Sequence, residues 1–203
     1  IGISLFMLIL TSPILMATAL AIKLYDRGPV FFYQERCTKD GKIFMICKFR
    51  SMIVDAEKGG ASIPATEHDP RITPVGRLIR KVRIDELPQL LNILKGDMSL
   101  VGPRPERIEH VNMYSDSIPE FAYRLKVKGG LTGYAQVYGK YNTTAYDKLK
   151  MDLMYIQNYS LLLDIEILFK TIKILFEKES TEGFSSQESE AMEHETEKQD
   201  VKE

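Results

Sequence analysis

Asp85 and Glu86 stand side by side, and an arginine fenced by prolines, Pro103-Arg104-Pro105, follows nineteen residues after Asp85. Arg77, Arg80, Lys81 and Arg83 come just before the pair, and Lys48 and Arg50 lie upstream at the end of a β-prone run. An acidic pair taken alone is an ordinary helix cap, favoured by the positive end of the helix dipole, and each cation taken alone is a solvated charge. Together they suit chemistry on phosphate groups. Guanidinium and ammonium groups neutralise phosphate oxygens, carboxylates are the hard oxygen ligands that Mg2+ takes, and a carboxylate can also be a nucleophile. Arg104 is the most suggestive residue. Proline on both sides restricts its backbone, and a bidentate fork held in place matches a pair of phosphate oxygens. With a helix N-terminus alongside, the group reads as a phosphate site.

The elements that must carry these residues are legible in outline. Residues 76–95 read as helical: Leu87, Leu90, Leu91 and Leu94 recur at i, i+3, i+4 and i+7, with Asp85 as N-cap, Pro88 in the first turn and Gly96 as the stop. Val30 to Tyr33 and Ile43 to Phe49 read as strands around a turn at Lys39-Asp40-Gly41. Residues 59–75 are loop-rich, 96–105 form a turn with little freedom, 106–126 and 145–158 read as helices, and 129–139 as a short loop and strand. Residues 161–177 are amphipathic, with Leu161, Ile165, Leu168, Ile172 and Leu175 opposite Glu166, Lys170, Lys173 and Glu177. That face either meets the core or lies in a membrane interface with Phe169 and Phe176 among lipid.

Residues 1–22 carry no charge, and as a helix they would be about 33 Å long, enough for the hydrocarbon layer. No A-x-A site precedes Lys23, which disfavours a signal peptide. Pro13 predicts a kink, with the hydroxyls of Thr11 and Ser12 able to satisfy the freed carbonyls. Two geometries stay open: a kinked straight span, or a sharply broken helix that enters and leaves by one face.

Across 203 residues, 44% hydrophobic and 27% charged content excludes wholesale disorder and allows a real core. The formal charge of −1 hides an asymmetry, because residues 179–203 hold nine acids and two bases and read as a disordered acidic tail. The remainder is mildly basic, which suits phosphate groups or an anionic membrane surface. No Cys/His finger or aromatic-interleaved basic patch points to nucleic acid. Cys37 and Cys47 fit no zinc spacing and read as reduced thiols.

KFRSM (48–52), DELPQLLNILKGDMSLVGPRP (85–105) and GLTGYAQVYG (130–139) closely resemble the bacterial sugar transferase family, as do AIKLYDRGPVFFYQER (21–36) and the Ser-Pro within the apolar run. These are the polyprenyl-phosphate sugar-1-phosphate transferases, or monotopic phosphoglycosyl transferases, that start surface-polysaccharide assembly. The resemblance covers roughly residues 1–178. It implies a membrane-associated compact α+β domain, with a re-entrant helix over 1–22 broken at Ser12-Pro13 and a catalytic domain over 23–178. It implies transfer of a sugar-1-phosphate from a nucleotide sugar, generally a UDP-sugar, to polyprenyl (undecaprenyl) phosphate. The setting is the cytoplasmic face of the bacterial inner membrane, with Mg2+ required and a homodimer permitted. The family's dyad matches Asp85 and Glu86, its phosphate-handling arginines match Arg80 and Arg104, and its strand-end lysine matches Lys48. The chain departs at Gly129-Gly130, where Pro-Gly is usual, at Cys37, where Gly is usual, and at Tyr138, where Asn is usual.

On this reading Asp85 attacks the sugar-bearing phosphate, displaces the nucleoside monophosphate, and yields an aspartyl phosphosugar that polyprenyl phosphate then attacks. Glu86 is expected as a Mg2+ ligand alongside Asp85, with Arg80, Arg104 and Lys48 holding the phosphates. Two other classes fit some of the same residues: a membrane-tethered phosphate-binding module without catalysis, and a metal-dependent nucleotide-sugar hydrolase.

Overall fold

Residues 1–56, 69–139 and 143–175 are described by the computed structural model, an α+β architecture in which helices outnumber short strands. In chain order the elements are α1 (Gly2–Asp26), β1 (Phe31–Cys37), β2 (Ile43–Phe49), α2 (Pro74–Lys81), α3 (Gln89–Lys95), β3 (Ser99–Val101), α4 (Ile108–Ser117), β4 (Gly130–Thr132), α5 (Tyr134–Tyr138), α6 (Ala145–Asn158) and α7 (Leu161–Leu175). β1 and β2 form the expected antiparallel hairpin, with Lys48 opposite Phe32, and β3 and β4 pair in parallel. The acidic tail and most of the loop expected over 59–75 lie outside the described residues; Pro74 already opens α2, capped by the Thr73 hydroxyl accepting from the Gly76 amide at 2.9 Å.

α1 runs four residues past the uncharged stretch and is, among the described residues, the one helix long and apolar enough to cross a membrane. Ser12-Pro13 lies inside one continuous helix. Proline removes the amide that would bond the Ile9 carbonyl, and the Ser12 hydroxyl donates to that carbonyl instead at 2.7 Å, while Thr11 donates to Met7 at 2.7 Å. One stripe of α1 packs on the domain along both halves. Met7 and Leu8 meet a core of Phe44, Ile46, Leu90, Ile93 and Met98, and Leu15, Ala19 and Ile22 meet Phe49 and Ile79. The opposite side leaves Phe6, Ile9, Leu10, Met16 and Leu20 exposed.

The helix expected over 76–95 is two helices. Arg83, in the left-handed region at φ 54°, separates α2 from a 3-10 turn at Ile84–Glu86, and α3 begins only at Gln89. Pro88 explains the second break, because it has no amide to return to Ile84, and the chain tightens to three-residue hydrogen bonds such as Leu87 to Ile84. Asp85 therefore is not the N-cap of α3; Pro88 occupies that position, and Gly96 closes the helix at φ 86° as expected. The helix expected over 106–126 also divides, into α4 and a 3-10 stretch Pro119–Lys126, since Pro119 keeps Ile118 out of the helical conformation. The segment 129–139 adds the short helix α5 after its strand.

α7 settles onto Val101 and Tyr155 through Ile167, Leu163 and Leu168, and Ile167 is fully buried. The face that carries Leu161, Ile165 and Ile172 points away from the core, with Leu162 and Phe169 beside it. Of the expected stripe, Leu168 packs on the core, whereas Leu161, Ile165, Ile172 and Leu175 are exposed, so the core-facing alternative holds for Leu168 and is corrected for the others. Both sides of α7 are apolar, and the core takes the one with Leu163, Ile167 and Leu168.

Candidate active site

The 3-10 turn between α2 and α3 presents two adjacent carboxylates to different surroundings. Glu86, its side chain 15% exposed, accepts from Lys48 Nζ at 2.7 Å and from Arg104 Nη2 at 2.6 Å through the same oxygen, Oε1; Arg104 Nη1 lies 3.5 Å from Oε2. Burial alone would raise the Glu86 carboxyl, but the charges of Arg104 and Lys48 and their hydrogen bonds outweigh it and hold it well below the usual range. Burial lowers the Lys48 ammonium against the pull of Glu86, and Glu86 raises the Arg104 guanidinium. Asp85 makes no hydrogen bond or ion pair among the described residues. Burial, reinforced by the negative charge of Glu86, pushes its carboxyl up to about 6, with Lys48, Arg80 and Arg104 pulling the other way.

Each cation is placed by a different element. Lys48 sits near the end of β2, whose backbone is fixed on α3 by the Asn92 carboxamide: Asn92 donates to the Met45 carbonyl at 2.8 Å and accepts from the Cys47 amide at 2.9 Å. Arg104 follows β3 in a loop that packs backbone to backbone against β4. Gly102 donates to the Thr132 carbonyl at 2.9 Å and Gly130 to the Pro103 carbonyl at 2.8 Å, and any side chain on Gly130 would collide with the main chain of Gly102 and Thr132. Arg80 belongs to α2 and acts on Asp85 by charge, without an ion pair among the described residues.

Of the five residues expected to form the site, Lys48, Glu86 and Arg104 are in direct contact, Asp85 is adjacent, and Arg80 is a half-buried neighbour. The remaining cations go elsewhere. Arg50 is buried and pairs with Asp26 at the end of α1, while Arg77 and Lys81 are exposed.

A family model described as bacterial sugar transferase matches residues 1–178. The chain belongs to that family. It is 49% identical over 169 residues to the UDP-N-acetylgalactosamine-undecaprenyl-phosphate N-acetylgalactosaminephosphotransferase of Aeromonas hydrophila, covering 82% of this chain and 40% of that protein. It is 44% identical over 170 residues to the UDP-glucose:undecaprenyl-phosphate glucose-1-phosphate transferase of Escherichia coli (strain K12), covering 81% and 36%. A 42% identity over 170 residues relates it to the uncharacterized sugar transferase EpsL of Bacillus subtilis (strain 168), covering 84% and 81%. The chain therefore spans about two fifths of the first two relatives and most of the third.

The residues that hold the site from outside escape sequence reading. Arg36, quoted within a motif but given no role, donates to the Pro105 carbonyl at 3.3 Å. Asn92 also lies within a family motif without a role, and Arg124 and Asp152 stand among other charged residues, where nothing in the sequence marks them as partners. A divalent cation fits the donor set in part. Asp85 makes no hydrogen bond or ion pair among the described residues, whereas Glu86 Oε1 is taken by two cations and Oε2 has only the long 3.5 Å contact from Arg104 Nη1. Mg2+ commonly takes one or two carboxylates together with substrate phosphates, so the dyad suits it with Asp85 as the better ligand.

Proposed function

We propose that this chain carries the catalytic domain of a transferase that moves a sugar-1-phosphate from a nucleotide sugar, a UDP-sugar by likeness to its relatives, to polyprenyl phosphate. The observation that carries the reading is the division of labour in the dyad. Glu86 is locked between Lys48 and Arg104, while Asp85 has no partner among the described residues and a carboxyl pushed up to about 6. A carboxylate whose surroundings have raised its basicity, beside three cations, is equipped to attack phosphorus.

In the first step an Asp85 oxygen bonds to the sugar-bearing phosphorus as the bond to the bridging oxygen breaks, and the nucleoside monophosphate leaves with that oxygen. In the second, a polyprenyl phosphate oxygen bonds to the same phosphorus and Asp85 is released as carboxylate. Lys48 and Arg104, fixed on Glu86, face the phosphate oxygens, and Arg80 adds charge from α2. Mg2+, held by Asp85 with Glu86 Oε2, would supply charge neutralisation to the diphosphate. Two half-reactions let a water-soluble donor and a lipid-confined acceptor use one site in turn. The exposed apolar sides of α1 and α7 support a position at a membrane, with one stripe of the continuous helix α1 on the domain and the other free to meet lipid, and the reaction would set that surface at the cytoplasmic face of the bacterial inner membrane.

The test is product analysis across a panel of nucleotide sugars with membranes, Mg2+, and polyprenyl phosphate present or omitted. Sugar linked to polyprenyl diphosphate is expected only with the lipid. Free sugar-1-phosphate at the same rate with or without lipid would mark a hydrolase, and binding without any product would mark a non-catalytic module.

A further inference from the structure

The Pro103-Arg104-Pro105 segment cannot order itself, because two of its three residues lack an amide. Its three carbonyls are instead each held by a separate donor: Pro103 by the Gly130 amide at 2.8 Å, Arg104 by Arg124 Nη2 at 3.1 Å, and Pro105 by Arg36 Nη1 at 3.3 Å. The middle contact is the one that acts on the residue facing Glu86. Arg124 is itself buried, with Nε donating to Asp152 Oδ2 at 2.7 Å, Nη1 3.8 Å from Glu106 Oε1, and the guanidinium 4.8 Å from the Phe121 ring centroid.

We infer that Arg124, anchored by Asp152, is a positioning residue for the reaction: it fixes the main chain of Arg104 so that the arginine fork stays on Glu86 beside Asp85. The guanidinium is needed because three of its nitrogens meet three partners at once: Nε meets Asp152, Nη2 the Arg104 carbonyl and Nη1 Glu106. A lysine could keep the charge and the pair with Asp152 but has no planar fork with which to hold the Arg104 carbonyl as well. Stability alone is a weak reason for the pair, since buried ion pairs often contribute little relative to apolar packing of the same volume. The brace also joins α6 to the site, with the Asp152 side chain 2% exposed and bonded to Arg124 rather than to the dyad.

The inference rests on the transfer reading for its assay, and a mutant cycle separates the two. Arg124→Lys, Arg104→Ala and the double variant are compared with the wild type in single-turnover release of nucleoside monophosphate and in affinity for that monophosphate, which needs no turnover. Circular dichroism and thermal melting confirm folding. Arg124→Lys is expected to lower the rate at least about tenfold, in line with the penalty for small misplacements at a reacting centre, and to weaken monophosphate binding. In the Arg104→Ala background the same change is expected to have less than about a twofold effect on either readout, because there is no fork left to misplace. Full activity in Arg124→Lys, or losses that multiply in the double variant, would overturn the inference. If Arg124→Lys does not fold, Asp152→Ala takes its place in the same cycle with the same outcomes. A wild type that binds the monophosphate but releases none would count against the transfer reading, while the affinity cycle would still decide the brace.

Discussion

The two sides of the 3-10 turn at Ile84–Glu86 are built in opposite ways. On the Glu86 side, β2 and the Pro-Arg-Pro loop deliver Lys48 and Arg104 onto one carboxylate oxygen, and each is held from behind, Lys48 through Asn92 on its strand and Arg104 through Arg124. On the Asp85 side, α2 offers Arg80 with no bond to the dyad, and the backbone between them passes through Arg83 in a left-handed conformation, a state that costs a non-glycine residue about 1–3 kcal/mol. One side is finished before substrate arrives, and the other is left incomplete. Adjacent residues of like charge thereby acquire different chemistry: a fixed anion that organises cations, and a carboxylate with no partner among the described residues, whose basicity is raised by burial and then by that same anion.

The contrast is broken most severely at Asp85. Asp85→Asn is expected to lower turnover at least about a thousandfold while raising the melting temperature at neutral pH. The sign follows from linkage. A carboxyl raised to about 6 in the fold contributes stability below its unfolded pKa and loses it as pH rises through 6, so removing the charge relieves a cost present at pH 7. Glu86→Gln is expected to do the opposite to stability, lowering it by about 1–3 kcal/mol because Lys48 and Arg104 lose their shared anion, with turnover down about a hundredfold. Calorimetry on the two variants in parallel reads the difference in sign directly. Arg80→Ala tests the incomplete side, with an expected KM increase for the nucleotide sugar of about tenfold and little change in melting temperature. The mildest probe is pH. The first half-reaction is expected to be flat above about 6 and to fall about tenfold per unit below it, as Asp85 takes up its proton. Single-turnover rates over pH 4.5 to 8, taken as roughly the range that brackets such a carboxyl, check this.

The parts of the site that were legible in the sequence share a property: Lys48, Asp85, Glu86 and Arg104 lie in contiguous motifs whose residue types announce phosphate chemistry. Which carboxylate would take the cations was not legible, because it depends on the Arg83 reversal and the tightening at Pro88, and the apolar residues on either side of that elbow repeat as though one helix ran through. The apolar pattern of α7 grouped Leu168 with Leu161, Ile165 and Ile172 without saying where the core would meet the helix, since Leu163 and Ile167 are as apolar as that stripe and the core takes them together with Leu168. Arg124 and Asp152 are 28 residues apart, and only the fold makes them partners.

The most direct measurement is the mass of the protein after incubation with a nucleotide sugar and Mg2+ in the absence of polyprenyl phosphate, followed by peptide mapping. The expected result is one sugar-phosphate adduct on Asp85, formed with stoichiometric nucleoside monophosphate and discharged when polyprenyl phosphate is added. Nucleoside monophosphate that emerges only after the lipid is supplied, with Asp85 unmodified throughout, would contradict it.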